Sequence, residues 1–142
     1  MATIENRRRL WHDALIVACA ISAGIHAALT PKHFEETARA GAGFLVATIL
    51  LTFLAVTLTR RAEDAVPVRV AAVILAGLLA SYGLAVTAGV PLLHPEVEPL
   101  DGLALITKGV ELAGLLSALP LLLRRERATQ SFQPLQTKGT PA

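Results

Sequence analysis

The strongest candidates for chemistry in this sequence are two opposite charges, Lys108 and Glu111, which lie within its last long apolar run. They are about five and eight residues into the run, and a spacing of three places them on one helix face, where they can pair. A charge inside a membrane span costs at least about 2.5 kcal/mol on insertion scales, so it normally faces the interior of a bundle. His26, about one turn from the end of the first apolar run, has a compatible depth. We therefore predict a buried cluster of Glu111, His26 and Lys108 if the first and last runs are neighbours. The alternative is an ion pair that only fixes helix register, with Lys108 extending outward.

Other metal-ligating side chains are concentrated at the same end of the apolar runs. Two further histidines and five acids lie there: His33, His94, Glu35, Glu36, Glu96, Glu98 and Asp101. Imidazole nitrogens and carboxylate oxygens suit zinc, copper(II), manganese or iron, and the lack of nearby Cys and Met argues against copper(I). The alternative is that short loops beside lipid headgroups are simply polar. His26 and His33 are separated by Pro31, so their spacing is not that of a helical ligand pair.

The sharpest hypothesis for this end is a single metal site. We predict that His26, His33 and Glu111 converge and bind a divalent transition metal, copper or zinc. Glu35 or Glu36 is the candidate fourth ligand, and the ammonium group of Lys108 would lie beside the ligands. Burying Glu111 without a partner would be costly, and a histidine at matching depth is the obvious partner.

Four apolar runs must position these residues, at 14–29, 40–58, 70–90 and 103–123. Each is close to the roughly 20 residues that a helix needs to cross a bilayer. The runs are continuous rather than alternating, which excludes a membrane β-barrel and selects helices. With 54% hydrophobic residues and a mean hydropathy of +0.57, little of the chain remains for a soluble domain. The predicted fold is all-α, an integral-membrane, antiparallel up-down-up-down four-helix transmembrane bundle.

Proline and charge patterns predict where the spans end. We expect one domain at 1–126, with spans at about 12–29, 40–58, 69–90 and 103–123, and a disordered tail at 127–142. Thr30 and Pro31 should end the first span, and residues 60–67 should form a tight turn. Pro120 falls in the last turn of the fourth span, where it is expected to kink the helix. Steps of small residues on spans 1, 3 and 4, such as Ala14 with Ala18 and Gly114 with Ala118, favour close helix packing.

Charge asymmetry predicts the orientation. The side that holds both termini has ten basic and five acidic side chains, and the other side has three basic and six acidic ones. By the positive-inside rule both termini are therefore expected in the cytoplasm. The arginine-rich N-terminus followed by an apolar run also fits a signal peptide, but we expect a retained first span. The same placement of the basic residues explains the net charge of +2 without nucleic acid as a partner.

The segment HAALTPKHFEETARAGAG, from His26 to Gly43, resembles a pattern in small four-span membrane proteins of unassigned function from high-GC bacteria. The pattern has a histidine at the end of span 1, then Pro-x-His-x-Glu, which here is Pro31, His33 and Glu35. It continues with a Pro/Glu/Gly outer loop and an acid within span 4, here Glu111. The resemblance implies a multi-pass protein of the bacterial inner membrane and adds weight to the outer cluster, without naming a ligand.

The function predicted from these features is not catalytic. A small apolar bundle without a catalytic motif is typical of an accessory, assembly or stabilising subunit of a larger membrane complex. Its expected partners are the lipid bilayer and other membrane subunits or a second copy of itself. The alternatives are a membrane protein that binds divalent copper or zinc and, third, a membrane-embedded enzyme. Cys19, the only cysteine, allows no intramolecular disulfide.

Overall fold

Four long helices make up the computed structural model, which describes residues 2–88 and 102–131. They are α1 (Ala2–Glu36), α2 (Ala38–Arg60), α3 (Ala65–Thr87) and α4 (Gly102–Ser131). All four are long and apolar enough to cross a membrane, and the described residues contain no strand. The predicted all-α, four-helix organisation is thereby confirmed. The segment between the predicted third and fourth spans, with His94, lies outside the described residues.

The first helix does not end at Pro31, as the sequence had suggested, but continues to Glu36. Pro31 has no N–H for the carbonyl four residues earlier, so this helix loses one backbone hydrogen bond. Side chains add bonds to neighbouring carbonyls: the Thr30 hydroxyl donates to His26 at 2.7 Å, and His33 Nδ1 donates to Leu29 at 2.9 Å. Such side-chain bonds help a helix in lipid to tolerate proline.

Short capped junctions connect the first three helices. Thr37 alone separates α1 from α2, and its Oγ1 accepts a hydrogen bond from the Ala40 N–H at 3.1 Å. The Phe34 ring packs so closely over Gly41 that a Cβ there would overlap it. At the next junction Asp64 caps α3 by accepting from the Val66 N–H at 3.0 Å. The tight turn predicted at 60–67 is shorter in the structure, where residues 61–64 connect the helices and Ala65 already begins α3. Each cap satisfies an N–H that the first helical turn leaves unpaired.

Packing places α1 next to both α2 and α4, while α3 packs mainly on α4 and only lightly on α2. A buried apolar core joins all four helices, formed by Leu15, Cys19, Ala23, Leu51, Leu54, Leu58, Val68, Ala71, Leu75, Ala118 and Leu121. Gly114 lies where three helices converge, since a Cβ there would be 2.8 Å from the Ala18 Cβ and 3.0 Å from the Leu75 Cδ1. The small residues predicted to allow close packing on α1 and α4 do so at this contact.

The fourth helix extends further than the sequence suggested. It runs through Pro120 to Ser131, five residues into the segment predicted to be a disordered tail. Residues 132–142 lie outside the described part of the chain.

Candidate functional site

A group of buried polar side chains joins α1 to α4, on the side of the core towards the α1–α2 junction. We call Ser22, His26, Lys108 and Glu111 the polar cluster. Glu111 is completely buried, Ser22 and His26 are buried, and the Lys108 side chain is 16% exposed. Because α1 and α4 are neighbours, residues 89 positions apart in sequence meet here, as the Ser22–Glu111 contact shows. The sequence prediction of a Glu111–His26–Lys108 cluster required this adjacency.

Both carboxylate oxygens of Glu111 have partners. Lys108 Nζ donates to Oε2 at 2.7 Å, in the i,i+3 pairing predicted from the spacing. The Ser22 hydroxyl donates to Oε1 at 3.0 Å. A buried carboxylate is tolerated only when it is paired and hydrogen-bonded, and these two contacts meet both conditions. The pair carries no net charge, which suits its position inside an apolar bundle.

His26 presents one ring nitrogen to this carboxylate. Its Nδ1 lies 2.9 Å from the carbonyl oxygen of Ser22, and because a carbonyl only accepts, Nδ1 carries a proton. The other nitrogen, Nε2, lies 3.8 Å from Glu111 Oε1, which is too long for a hydrogen bond. In the neutral imidazole Nε2 is an acceptor with a free lone pair, so this nitrogen is the one available to a ligand.

An aromatic side chain from α2 links the two histidines of the predicted metal site. Phe44 lies 5.3 Å from the His26 ring and stacks on the His33 ring with centroids 3.6 Å apart. His33 Nδ1 also donates to a backbone carbonyl, that of Leu29, so its Nε2 remains the free ring nitrogen. The structure therefore brings His26 to Glu111, and it brings His33 to Phe44.

The candidate fourth ligands lie apart from these contacts. Glu35 and Glu36 are exposed in the last turn of α1. Within residues 2–88 and 102–131 no group of three or more His, Cys, Asp or Glu side chains is arranged to hold a metal ion. The metal site with His26, His33 and Glu111 stays a prediction, and Lys108 Nζ already supplies positive charge to the carboxylate that a metal would use.

Tyr82 of α3 completes the surroundings of Lys108. Lys108 Nζ lies 5.4 Å from the centroid of the Tyr82 ring, a distance at which a cation is attracted by the aromatic face. The Tyr82 Oη is buried and has no hydrogen-bond partner within the described part of the chain. Sequence reasoning missed Ser22, Phe44 and Tyr82. Ser22 lies one helical turn before His26, and this spacing was the only indication for any of them.

Comparisons with protein-family profiles, curated proteins and solved structures give no match for this chain. The likeness to small four-span bacterial membrane proteins therefore stays a prediction. The chemistry of the polar cluster must be argued from its own geometry: a neutralised ion pair, one free imidazole nitrogen and one buried hydroxyl.

Proposed function

We propose that this protein is a non-catalytic, multi-pass membrane subunit that docks through α3 onto a transmembrane helix of a partner protein. The observation that carries the proposal is the exposed face of α3 between residues 76 and 83. Only small side chains are exposed there: Ala76, Gly77, Ala80, Ser81 and Gly83. In lipid, helices associate where small residues let backbones approach, because apolar area alone gives no driving force.

The contrast with α2 supports this assignment. The exposed face of α2 carries large apolar side chains, among them Leu45, Val46, Ile49 and Phe53, as expected for a surface in contact with lipid chains. Helix α3 has the smallest buried share of the four spans, and a Cβ at Gly77 would meet nothing within 4 Å. A face that is both little covered and lined with small residues fits a neighbouring helix better than it fits lipid.

Site-specific photocrosslinking in native membranes tests the proposal. A photoreactive residue at Ala80 on α3 should give one defined product with a different protein, and the same residue at Ile49 on α2 should not. Gly77→Leu should abolish the product. Gly43→Leu is the matched control, because Gly43 is also an exposed helical glycine with open space around it. A product with twice the mass of this chain, or equal products from positions 80 and 49, would contradict a docking face for another protein.

The accompanying topology is antiparallel, up-down-up-down, in the bacterial inner membrane with both termini cytoplasmic. One residue joins α1 to α2 and four join α2 to α3, and such short connections favour antiparallel neighbours. Arg8 Nη2 lies 2.9 Å from Glu63 Oε2, so the N-terminal part of α1 contacts the α2–α3 turn. These contacts and the positive charge at this end support a cytoplasmic location for it.

A divalent metal protein is the second candidate, and one observation favours it. The free Nε2 of His26 and Oε1 of Glu111 face each other at 3.8 Å, so an imidazole and a carboxylate share one buried site. Elemental analysis of the protein purified at neutral pH, with His26→Ala and Glu111→Gln variants, tests this function. Stoichiometric copper or zinc that both substitutions remove would support it. A metal-free parent, or variants that keep the metal, would reject it.

A further inference from the structure

Exposed arginine side chains lie at the end of the bundle where α1 begins and α2 joins α3, and the proposed docking function does not use them. Arg8 Nη2 lies 2.9 Å from Glu63 Oε2, so the start of α1 contacts the α2–α3 turn. This contact brings arginines of three helices and the turn to one end of the bundle. We call the five with exposed side chains the arginine rim: Arg7, Arg9, Arg60, Arg61 and Arg69.

The acids of the α2–α3 turn are already engaged. Glu63 pairs with Arg8, and Asp64 caps α3 by accepting from the Val66 N–H. Among the described side chains, no rim arginine is paired with a carboxylate. Two exposed acids near the start of α1, Glu5 and Asp13, stand against the five rim arginines. The rim therefore keeps a net positive charge that a ligand with negative charge would complement.

The permanently charged cations described at this end of the bundle are all arginines. The two described lysines, Lys32 and Lys108, lie in the late part of α1 and the early part of α4, towards the opposite end. Lysine satisfies the positive-inside rule as well as arginine does, so the rule explains the charge but not the choice of side chain. A guanidinium group differs from an ammonium group because it binds phosphate through two parallel hydrogen bonds. The composition of the rim therefore favours a phosphate group as its ligand.

Apolar side chains exposed beside the arginines indicate which kind of phosphate compound fits. Leu10 follows Arg9 on α1 and is 64% exposed. On α3, the exposed Val66 lies one turn before Arg69, and the exposed Val70 follows it. Arg69 is about 6 Å along the axis from the start of α3, at the edge of the apolar span, where a long side chain reaches the headgroup level. A ligand that contacts both kinds of side chain has an anionic phosphate head and an apolar chain.

We infer that the arginine rim binds anionic phospholipids through their phosphate groups, with the acyl chains against Leu10, Val66 and Val70. The guanidinium groups hold the phosphate bidentately, and the positive charge of the rim selects anionic over zwitterionic lipids. The inference rests on the membrane location proposed above, and it is independent of the docking face of α3.

Native mass spectrometry of the purified full-length protein in dodecyl maltoside tests the inference. The protein is titrated with phosphatidylglycerol and, in a separate series, with phosphatidylcholine that has the same acyl chains. We expect phosphatidylglycerol to bind at least about tenfold more tightly, because only its headgroup has a net negative charge. An excess of inorganic phosphate should leave the lipid bound, since free phosphate lacks the apolar part of the ligand.

Substitutions within the rim separate charge from geometry. Arg61→Gln combined with Arg69→Gln should weaken phosphatidylglycerol binding about 25-fold, because each arginine near an anionic lipid surface contributes about fivefold. Lysine at the same two positions keeps the charge and loses the bidentate fork, so its affinity should fall between those of the parent and the glutamine variant. Lys32→Gln combined with Arg39→Gln is the matched control. It removes two exposed cations at the opposite end and should keep the parental affinity.

Several results would overturn the inference. These are equal affinity for the two lipids, displacement of the lipid by inorganic phosphate, and equal losses in the rim variant and the control. Parental affinity in the lysine variant would overturn the bidentate geometry. A protein that stays monodisperse without detergent would instead refute the membrane location on which the inference rests.

Discussion

Glu111 is the residue whose burial is most costly, because its carboxylate has no exposed surface inside an apolar bundle. Its stability depends on Lys108 and Ser22, which together occupy both of its oxygens. Removing one partner of a buried ion pair is far more harmful than removing both, because the remaining charge loses its compensation in a medium of low dielectric constant. Mutations within the polar cluster should therefore have coupled, non-additive effects on the free energy of unfolding.

A double-mutant cycle on Lys108 and Glu111 measures this coupling. We expect Lys108→Met to lower the free energy of unfolding by about 3–5 kcal/mol, since it leaves Glu111 buried and unpaired. Glu111→Gln should cost less, because the partly exposed Lys108 can extend towards water. The double variant should be more stable than Lys108→Met alone. Unfolding in detergent by denaturant gives the three values, and strictly additive effects would refute the coupling.

At the scale of the element, close contact between helices depends on individual small residues. Gly114 of α4 faces Ala18 of α1 and Leu75 of α3 at distances that leave no room for a side chain. In contrast, Gly109 on the same helix is exposed, and a Cβ there would meet nothing within 4 Å. The two glycines thus separate the packing role of glycine from its effect on helix propensity.

Alanine substitutions at these two glycines should have opposite effects. Gly114→Ala should lower the free energy of unfolding by about 1–3 kcal/mol, because α1 and α4 must move apart to admit the methyl group. Gly109→Ala should be neutral or stabilising by up to about 1 kcal/mol, since alanine is the better helix former. Thermal unfolding of both variants in the same detergent makes the comparison. Equal effects at the two positions would mean that the helices do not approach each other closely at Gly114.

At the scale of the whole molecule, apolar and charged residues are distributed to suit a membrane rather than water. Large apolar side chains are exposed along every helix, among them Val17, Phe53, Val73 and Leu116. Several polar side chains are buried between the helices instead, and Glu111 among them has no exposed surface. An exterior this apolar is an aggregation hazard in water and a lipid contact surface in a bilayer.

Cysteine labelling from outside the cell tests the proposed orientation. With the buried Cys19 replaced by alanine, a membrane-impermeant maleimide should label Val97→Cys and should not label Ala62→Cys in intact cells. Both positions should react after the membrane is solubilised, which is the control for accessibility. Labelling of position 62 but not of position 97 in intact cells would reverse the orientation of the bundle.

The sequence by itself determined the number and type of the helices. Run length decides this, because a backbone in an apolar medium must satisfy its hydrogen bonds within each segment. It also placed Lys108 and Glu111 on one face of α4, since that relation is local. The predicted end of α1 was wrong. The helix continues through Pro31, with hydrogen bonds from Thr30 and His33 and the packing of Phe34 on Gly41 around it.

Only the tertiary structure decided which helices are neighbours and how each is rotated about its axis. The contacts of Glu111 with Ser22 and His26 exist because α4 lies beside α1, and Tyr82 reaches Lys108 because α3 packs on α4. In a water-soluble bundle the apolar stripe would indicate the inward face of each helix. Here the inward and outward faces are both apolar, so hydrophobic periodicity carries little information about rotation, and packing between specific side chains decides it.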